Sequence, residues 1–154
     1  MGRQWQTDTF ASLSNDTLYA ILRLRQEVFA IEQQSIYLDL DNRDQHALHM
    51  QCYEEDQLIA YQRLLPPGLP YTESSMGRIV VSPQARGRDL GRELVREGLA
   101  YNLAHWPDHD VRINAQSYLQ RFYRDLGFVV ISDEYDEDGI PHVQMLYQHQ
   151  QPIG

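Results

Sequence analysis

Between residues 78 and 115 the chain passes from a β-branched apolar run, through a glycine-containing loop, into a helix and out to a second strand. That succession restricts the fold more than any other part of the sequence. Arg78-Ile79-Val80-Val81 is apolar on both faces, which suits a central, covered strand better than an edge, and Ser82-Pro83 closes it. Gln84 to Arg92 follows, with glycines at 87 and 91. Leu90, Leu94, Val95, Leu99 and Leu103 then make one apolar stripe ahead of Trp106-Pro107. Val111–Ala115 reads as the next strand. Such a unit can close as a right-handed parallel crossover, which puts the start of its helix at the carboxyl edge of the sheet, where open α/β folds take ligands.

The flanking segments complete the pattern. Trp5 and its neighbours form a short first strand. Ser14, Asn15 or Asp16 can cap a helix over about 15–30, in which Leu18, Ile21, Leu22, Val28 and Phe29 recur at helical spacing. Glu32 to Asp44 is polar and aspartate-rich and reads as a solvated acidic loop. His46–Glu54 and Leu58–Leu65, separated by Glu55-Asp56-Gln57, predict an antiparallel hairpin that Pro66-Pro67-Gly68 stops. Tyr118–Leu126 reads as a helix ended by Gly127, and Phe128–Tyr135 with His142–Tyr147 as a hairpin turned at Asp138-Gly139. The predicted order, β α β β β α β α β β, is one mixed α/β domain over 1–154, with 1–3 and 148–154 frayed.

A chain of 154 residues fits one core. Thirteen basic against 22 acidic side chains leave a net charge of −9, which a nucleic-acid backbone repels, so nucleic acid is not expected as a partner. Every basic residue is arginine, which excludes a lysine Schiff base or a P-loop lysine. The lone thiol, Cys52, has no internal disulfide partner and reads as a small buried hydrophobe. The N-terminus lacks the apolar run of a signal peptide, and no window approaches the ~18 apolar residues of a membrane span. A cytoplasmic setting without membrane contact is expected.

A helix N-terminus exposes unpaired N–H groups and a partial positive charge, and Gly87 and Gly91 let an anion approach the main chain. Arg86, Arg88, Arg92 and Arg96 fall within eleven residues of an otherwise acidic chain, as a polyanionic cofactor requires. For the glycines alone, a solvated helix face with an ordinary turn accounts equally well. The spacing fits neither G-x-G-x-x-G nor the P-loop pattern.

Val81-Ser82-Pro83 followed by Arg86-Gly87-Arg88-Asp89-Leu90-Gly91 resembles the acetyl-CoA loop of the GNAT acetyltransferase superfamily, which reads Q/R-x-x-G-x-G/A after a central strand ending V-x-P. Asp89 stands where that family usually has its first glycine, and it is expected to cap the helix rather than crowd an anion. Asn114-Ala115-Gln116 and Phe122-Tyr123-Arg124-Asp125-Leu126-Gly127-Phe128 resemble the family's second signature, about thirty residues on. Leu24-Arg25-Gln26-Glu27-Val28-Phe29 with Glu32-Gln33, Gly77–Val81, and Glu137-Asp138-Gly139-Ile140-Pro141-His142 resemble the ElaA-like branch.

The resemblance implies a mostly antiparallel mixed sheet with a parallel splayed pair and helices on both faces. It implies acetyl-CoA as co-substrate and no metal, with an amine, small molecule or peptide, as acceptor. Main-chain groups of Ile79, Val80 and Val81 would hold the pantetheine arm, and Arg86, Gly87, Arg88, Asp89, Leu90, Gly91 and Arg92 the pyrophosphate. Asn114 and Phe122, from the second signature, join the cofactor side. Val80 or Val81 would supply an N–H to the thioester oxygen. Tyr123 matches the family's acid for the leaving thiolate.

An acceptor ammonium near pKa ~10.4 is almost wholly protonated at pH 7, a deficit of roughly 4.6 kcal/mol, so a base or a water chain is needed. Glu32, His142 and Asp136 are candidates by residue type and position, with Glu32 favoured slightly because it follows the first helix, which the resemblance implies lines the acceptor side. Asp39, Asp41, Asp44, His46 and His49 do not match a calcium loop or a shared zinc site, and no metal is expected there. The acidic run Asp133–Asp138 either steers a cationic acceptor or keeps a hairpin soluble. Two other readings stand beside the enzyme: a non-catalytic acyl-CoA-binding module and a structural interaction domain. A homodimer is compatible with all three.

Overall fold

The computed structural model describes residues 2–34 and 37–150; Met1 and 151–154, expected to be frayed, lie outside the described residues. β1 (Gln4–Thr9) leads to α1 (Asn15–Arg25), whose first turn is capped by Ser14: its Oγ accepts from the Thr17 N–H at 3.0 Å. The helix runs on into a wider π turn, Gln26–Glu32, in which the Gln33 N–H bonds Val28 O at 3.0 Å. β2 (Leu48–Glu54), β3 (Gln57–Leu65) and β4 (Ser74–Val81) follow, then α2 (Leu90–His105) and β5 (Val111–Gln116). α3 (Gln120–Asp125), β6 (Val129–Val130), β7 (Tyr135–Glu137) and β8 (Ile140–Tyr147) complete the chain.

The eight strands form one sheet in the order β1-β2-β3-β4-β5-β8-β6, with β7 also on β8. All pairings are antiparallel except β4 with β5, the predicted crossover. Strand alternation divides the core. Met50, Leu64 and Met76 face α2, Tyr123 and Phe128, while Tyr61 and Val80 face Ile21, Leu24, Val28 and Phe29 of α1 and its π turn. Helices therefore cover both faces. Cys52, Ile59, Ala60 and Ala85 bury Leu90 and Leu94 and fasten the start of α2 to the sheet.

Three local expectations differ from the structure. β4 begins at Ser74, before the apolar run, because Ser74 Oγ and the Ser75 carbonyl accept from the Asn102 side chain of α2. The expected strand Phe128–Tyr135 is broken into β6 and β7, because Ser132 Oγ takes the Gln144 N–H in place of a strand carbonyl. The acidic loop is not solvated. Arg25 lies fully buried, on the inward stripe with Ile21, Leu24 and Val28, and reaches Asp44 and Asp39 at 2.9 Å each. Arg63 of β3 bonds Asp41 at 2.7 Å and Asp44 at 3.0 Å, and Arg78 forms an ion pair with Asp39 at 2.7 Å and donates to its carbonyl at 2.9 Å. Buried guanidinium groups need carboxylate partners, and these three aspartates are the ones within reach.

The feature that positions the site lies in β4. Its register with β3 slips, with Val80 opposite Tyr61 but Gly77 opposite Arg63, so Arg78 and Ile79 together oppose Gln62. This bulge puts Arg78 at φ +49°. On the other side β4 meets β5 only at Ser74–Val111 and Ser75–Arg112, and beyond those pairs the two strands part.

Candidate active site

The Ser82 N–H donates to Ile59 O at 2.8 Å. Alternate N–H groups of a strand face opposite neighbours, so the Val81 N–H faces the gap left by β5. The gap widens into a cavity of about 1000 Å³. Its wall carries Ile79, Val80, Val81 and Arg86 from β4 and the loop after it, Glu32 from the π turn, and Tyr37 and Asp41 from the pinned loop. Asn114, Tyr123, Glu137 and His142 come to it from β5, α3, β7 and β8. Gly87, Arg88, Asp89, Leu90, Gly91, Arg92 and Phe122 lie outside that wall.

The loop enters α2 through two left-handed residues, Gly87 at φ +84° and Asp89 at φ +59°. A Cβ at Gly87 or Gly91 would meet nothing within 4 Å, so the main chain is open to a ligand there. Asp89 does not cap the helix. A capping carboxylate reaches the first-turn amides from an extended backbone, and the left-handed one at 89 turns it away, to 3.4 Å from Arg92 Nε. The same backbone accounts for aspartate at a position where a glycine is usual, since Asp tolerates this region better than most side chains.

Arg86 Nη1 donates to Glu32 Oε2 at 2.7 Å, and that bond holds the Glu32 carboxyl below its ordinary pKa. Arg88 makes a two-pronged pair with Glu54 at 2.9 and 3.1 Å. The Arg92 guanidinium lies 5.7 Å above the Phe122 ring. Tyr123 is 7% exposed, edge-on to Phe122 at 5.1 Å and to Phe128 at 5.8 Å. Burial, with the Tyr118 phenol adding to it, pushes its pKa up.

A GNAT acetyltransferase domain model matches residues 13–148. The chain belongs to the GNAT acetyltransferase family. Protein ElaA of Escherichia coli is 38% identical over 144 residues, 92% of this chain and 94% of ElaA. A UPF0039 protein of Synechocystis sp. is 38% identical over 145 residues, 94% of each chain. An acyl-CoA N-acyltransferase from Pseudomonas aeruginosa superposes with a TM-score of 0.91 at 37% identity, covering 96% of this chain and 100% of that one. The crystal structure of E. coli ElaA superposes at 0.89 with 36% identity and the same shares. This GNAT chain is thus an ElaA-like transferase.

The three side chains singled out as candidate bases differ in their surroundings. His142 is buried, and its Nδ1 stands 2.8 Å from Ile140 O. A carbonyl only accepts, so Nδ1 carries a proton, and in the neutral ring the lone pair is on Nε2. Nε2 is 3.6 Å from Glu137 Oε2, beyond a hydrogen bond. Asp136 caps the hairpin turn, accepting from the Gly139 N–H at 3.2 Å, and is not on the cavity wall. The Asn114 amide is engaged on the same hairpin: Nδ2 donates to Glu137 at 2.8 Å and Oδ1 accepts from the Tyr135 hydroxyl. Sequence reading did not connect Glu137 with Asn114, or Arg63 and Arg78 with the acidic loop. An arginine on the inward stripe of the first helix was the one available signal.

Proposed function

We propose that this GNAT protein is an acetyl-CoA-dependent N-acetyltransferase that moves the acetyl group directly to an amine within a ternary complex. The observation that carries the reading is the parting of β4 from β5, which turns main chain at Val81 toward a cavity whose wall also bears Tyr123 and His142. The residues fit an acyl-CoA. The Val81 N–H faces no strand partner, the turn at Gly87 is open, and Arg86, Arg88 and Arg92 cluster beside it. On this reading Ile79–Val81 hold the pantetheine arm and Arg86–Arg92 the diphosphate.

Acetyl-CoA supplies an activated thioester when bound, and the chain's own residues handle the protons. His142, whose Nδ1 is engaged by the Ile140 carbonyl, takes the ammonium proton on Nε2 when its ring is neutral, directly or through water. Glu32 is the weaker base, because Arg86 stabilises its ionised form. Burial holds Tyr123 protonated and makes it a weak acid, so its proton passes to the leaving sulfur as the one taken from the ammonium is relayed to the phenol. Cys52 is buried and its pKa is pushed up to about 11, which supports direct transfer over a covalent enzyme intermediate. No helix among the described residues is long and apolar enough to cross a membrane, and we take the reaction to be cytoplasmic.

Incubation with acetyl-CoA and a panel of amines, followed as thiol release, should show turnover. Tyr123→Phe should lower kcat by about a hundredfold while leaving the CoA Kd within about twofold. Retention of CoA without transfer to any amine would favour the binding-module reading, and failure to retain CoA would overturn both.

A further inference from the structure

The arginines proposed to hold the diphosphate are already held by carboxylates. Glu54 takes Arg88, Asp89 takes Arg92 and Glu32 takes Arg86. Glu54 and Asp89 are off the cavity wall, whereas Glu32 is on it. The Glu32–Arg86 pair joins residues 54 positions apart and ties the end of the π turn to the loop after β4. Its side chains are 40% and 44% exposed, so water and a competing anion can reach it, and such pairs contribute little to folding. A diphosphate carries more charge than one carboxylate and accepts two parallel bonds from a guanidinium where Glu32 accepts one, so it is the stronger partner for Arg86.

The local backbone gives the carboxylate its position. In the π turn the bond from Gln33 to Val28 spans five residues instead of four, and the wider turn brings Glu32 and Gln33 onto the cavity wall. Gln33 is met there by Gln116 of β5, at 3.5 Å. Arg86 is the cation bonded to Glu32, and Glu27, one turn back, adds negative charge near the same guanidinium.

Resting on the acyl-CoA reading above, we infer that Glu32 is a two-position carboxylate coupling the two substrate subsites. With no diphosphate bound it clasps Arg86. A diphosphate that takes Arg86 releases Glu32 to the cavity, where its charge holds the cationic amine. Glu32 is then a positioning residue for the acceptor and a competitor of the cofactor.

Calorimetric titration of the full chain with CoA tests this without requiring turnover. Glu32→Gln removes the competitor and should lower the CoA Kd about three- to fivefold. Glu27→Gln, which removes one negative charge from the same turn without breaking the pair, should change it by less than about twofold. A merely structural Glu32 would instead weaken CoA binding when lost. In the acetyl-transfer assay, Glu32→Gln should also raise the KM for the amine. A CoA Kd that is unchanged or higher in Glu32→Gln overturns the inference and leaves the acetyltransferase reading standing. A wild-type chain that does not retain CoA overturns that reading, and the inference with it.

Discussion

Asp89 holds φ +59° with its carboxylate 74% exposed, so the fold at this position constrains backbone conformation more than side-chain chemistry. Asp89→Gly removes a left-handed penalty of about 1 kcal/mol and adds unfolded-state entropy of similar size, so Tm should move by no more than about 3 °C. Asp89→Val places a β-branched residue at positive φ and should lower Tm beyond that range, as thermal melting would show. Asp41 offers a pH counterpart. Burial would raise its pKa, but the hydrogen bond and charge of Arg63 outweigh that and bring it from 3.8 to about 2. A carboxylate with a depressed folded pKa contributes stability that is complete above its unfolded pKa and is lost as pH falls through the folded one. Between about pH 4 and pH 2 the protein should therefore lose about 2 kcal/mol through this group. Asp41→Asn should remove that limb from urea midpoints plotted against pH, and an unchanged limb would assign the titration to another residue.

Among the elements, α2 gives the sharpest contrast between propensity and packing. Gly98 sits in its interior, where alanine ordinarily stabilises by about 1 kcal/mol. Here a Cβ would come within 2.3 Å of the buried Gln62 amide, which donates to Leu94 O at 2.7 Å. Gly98→Ala should therefore destabilise by about 1–3 kcal/mol in chemical denaturation. α1 makes the complementary case. Arg25→Met keeps the helix but removes the fully buried guanidinium that Asp39 and Asp44 share, leaving them Arg78 and Arg63, for an expected loss of about 2–3 kcal/mol. Helix and strand positions were legible because Leu18 to Phe29 and Leu90 to Leu103 repeat with helical period and the strands with none. The pairing of Arg25, Arg63 and Arg78 with the acidic loop was not. Those partners lie 14 to 39 positions apart, and a run of aspartates reads alike whether water or guanidinium faces it.

Across the whole molecule, the crossover from β4 through α2 to β5 could be read from the sequence, and the glycine loop could be placed at its turn. The parting of the strands was expected only through the family resemblance, and the bulge at Arg78 not at all, since both are made by backbone register and leave no side-chain pattern. The absent cap at Asp89 is hidden for the same reason. The Tyr123 position followed from its neighbours Leu126-Gly127-Phe128, while the clasp of Glu32 on Arg86 depends on a contact between distant segments. Of the roles proposed for the site, those of side chains in a local motif were therefore easier to anticipate than those of main-chain donors.

The join between β4 and β5 is two residue pairs long, reinforced by Asn102 at Ser74 and Ser75. The molecule is thus two half-sheets bound along one short spine, like a book held at the top of its binding. An extended guest lying between the leaves would act as a strand of the sheet as much as a reagent. Heat resistance should then follow the occupancy of that slot, rising as reactant enters and falling as product departs, so that a melting curve becomes a gauge of where the protein stands in its working cycle.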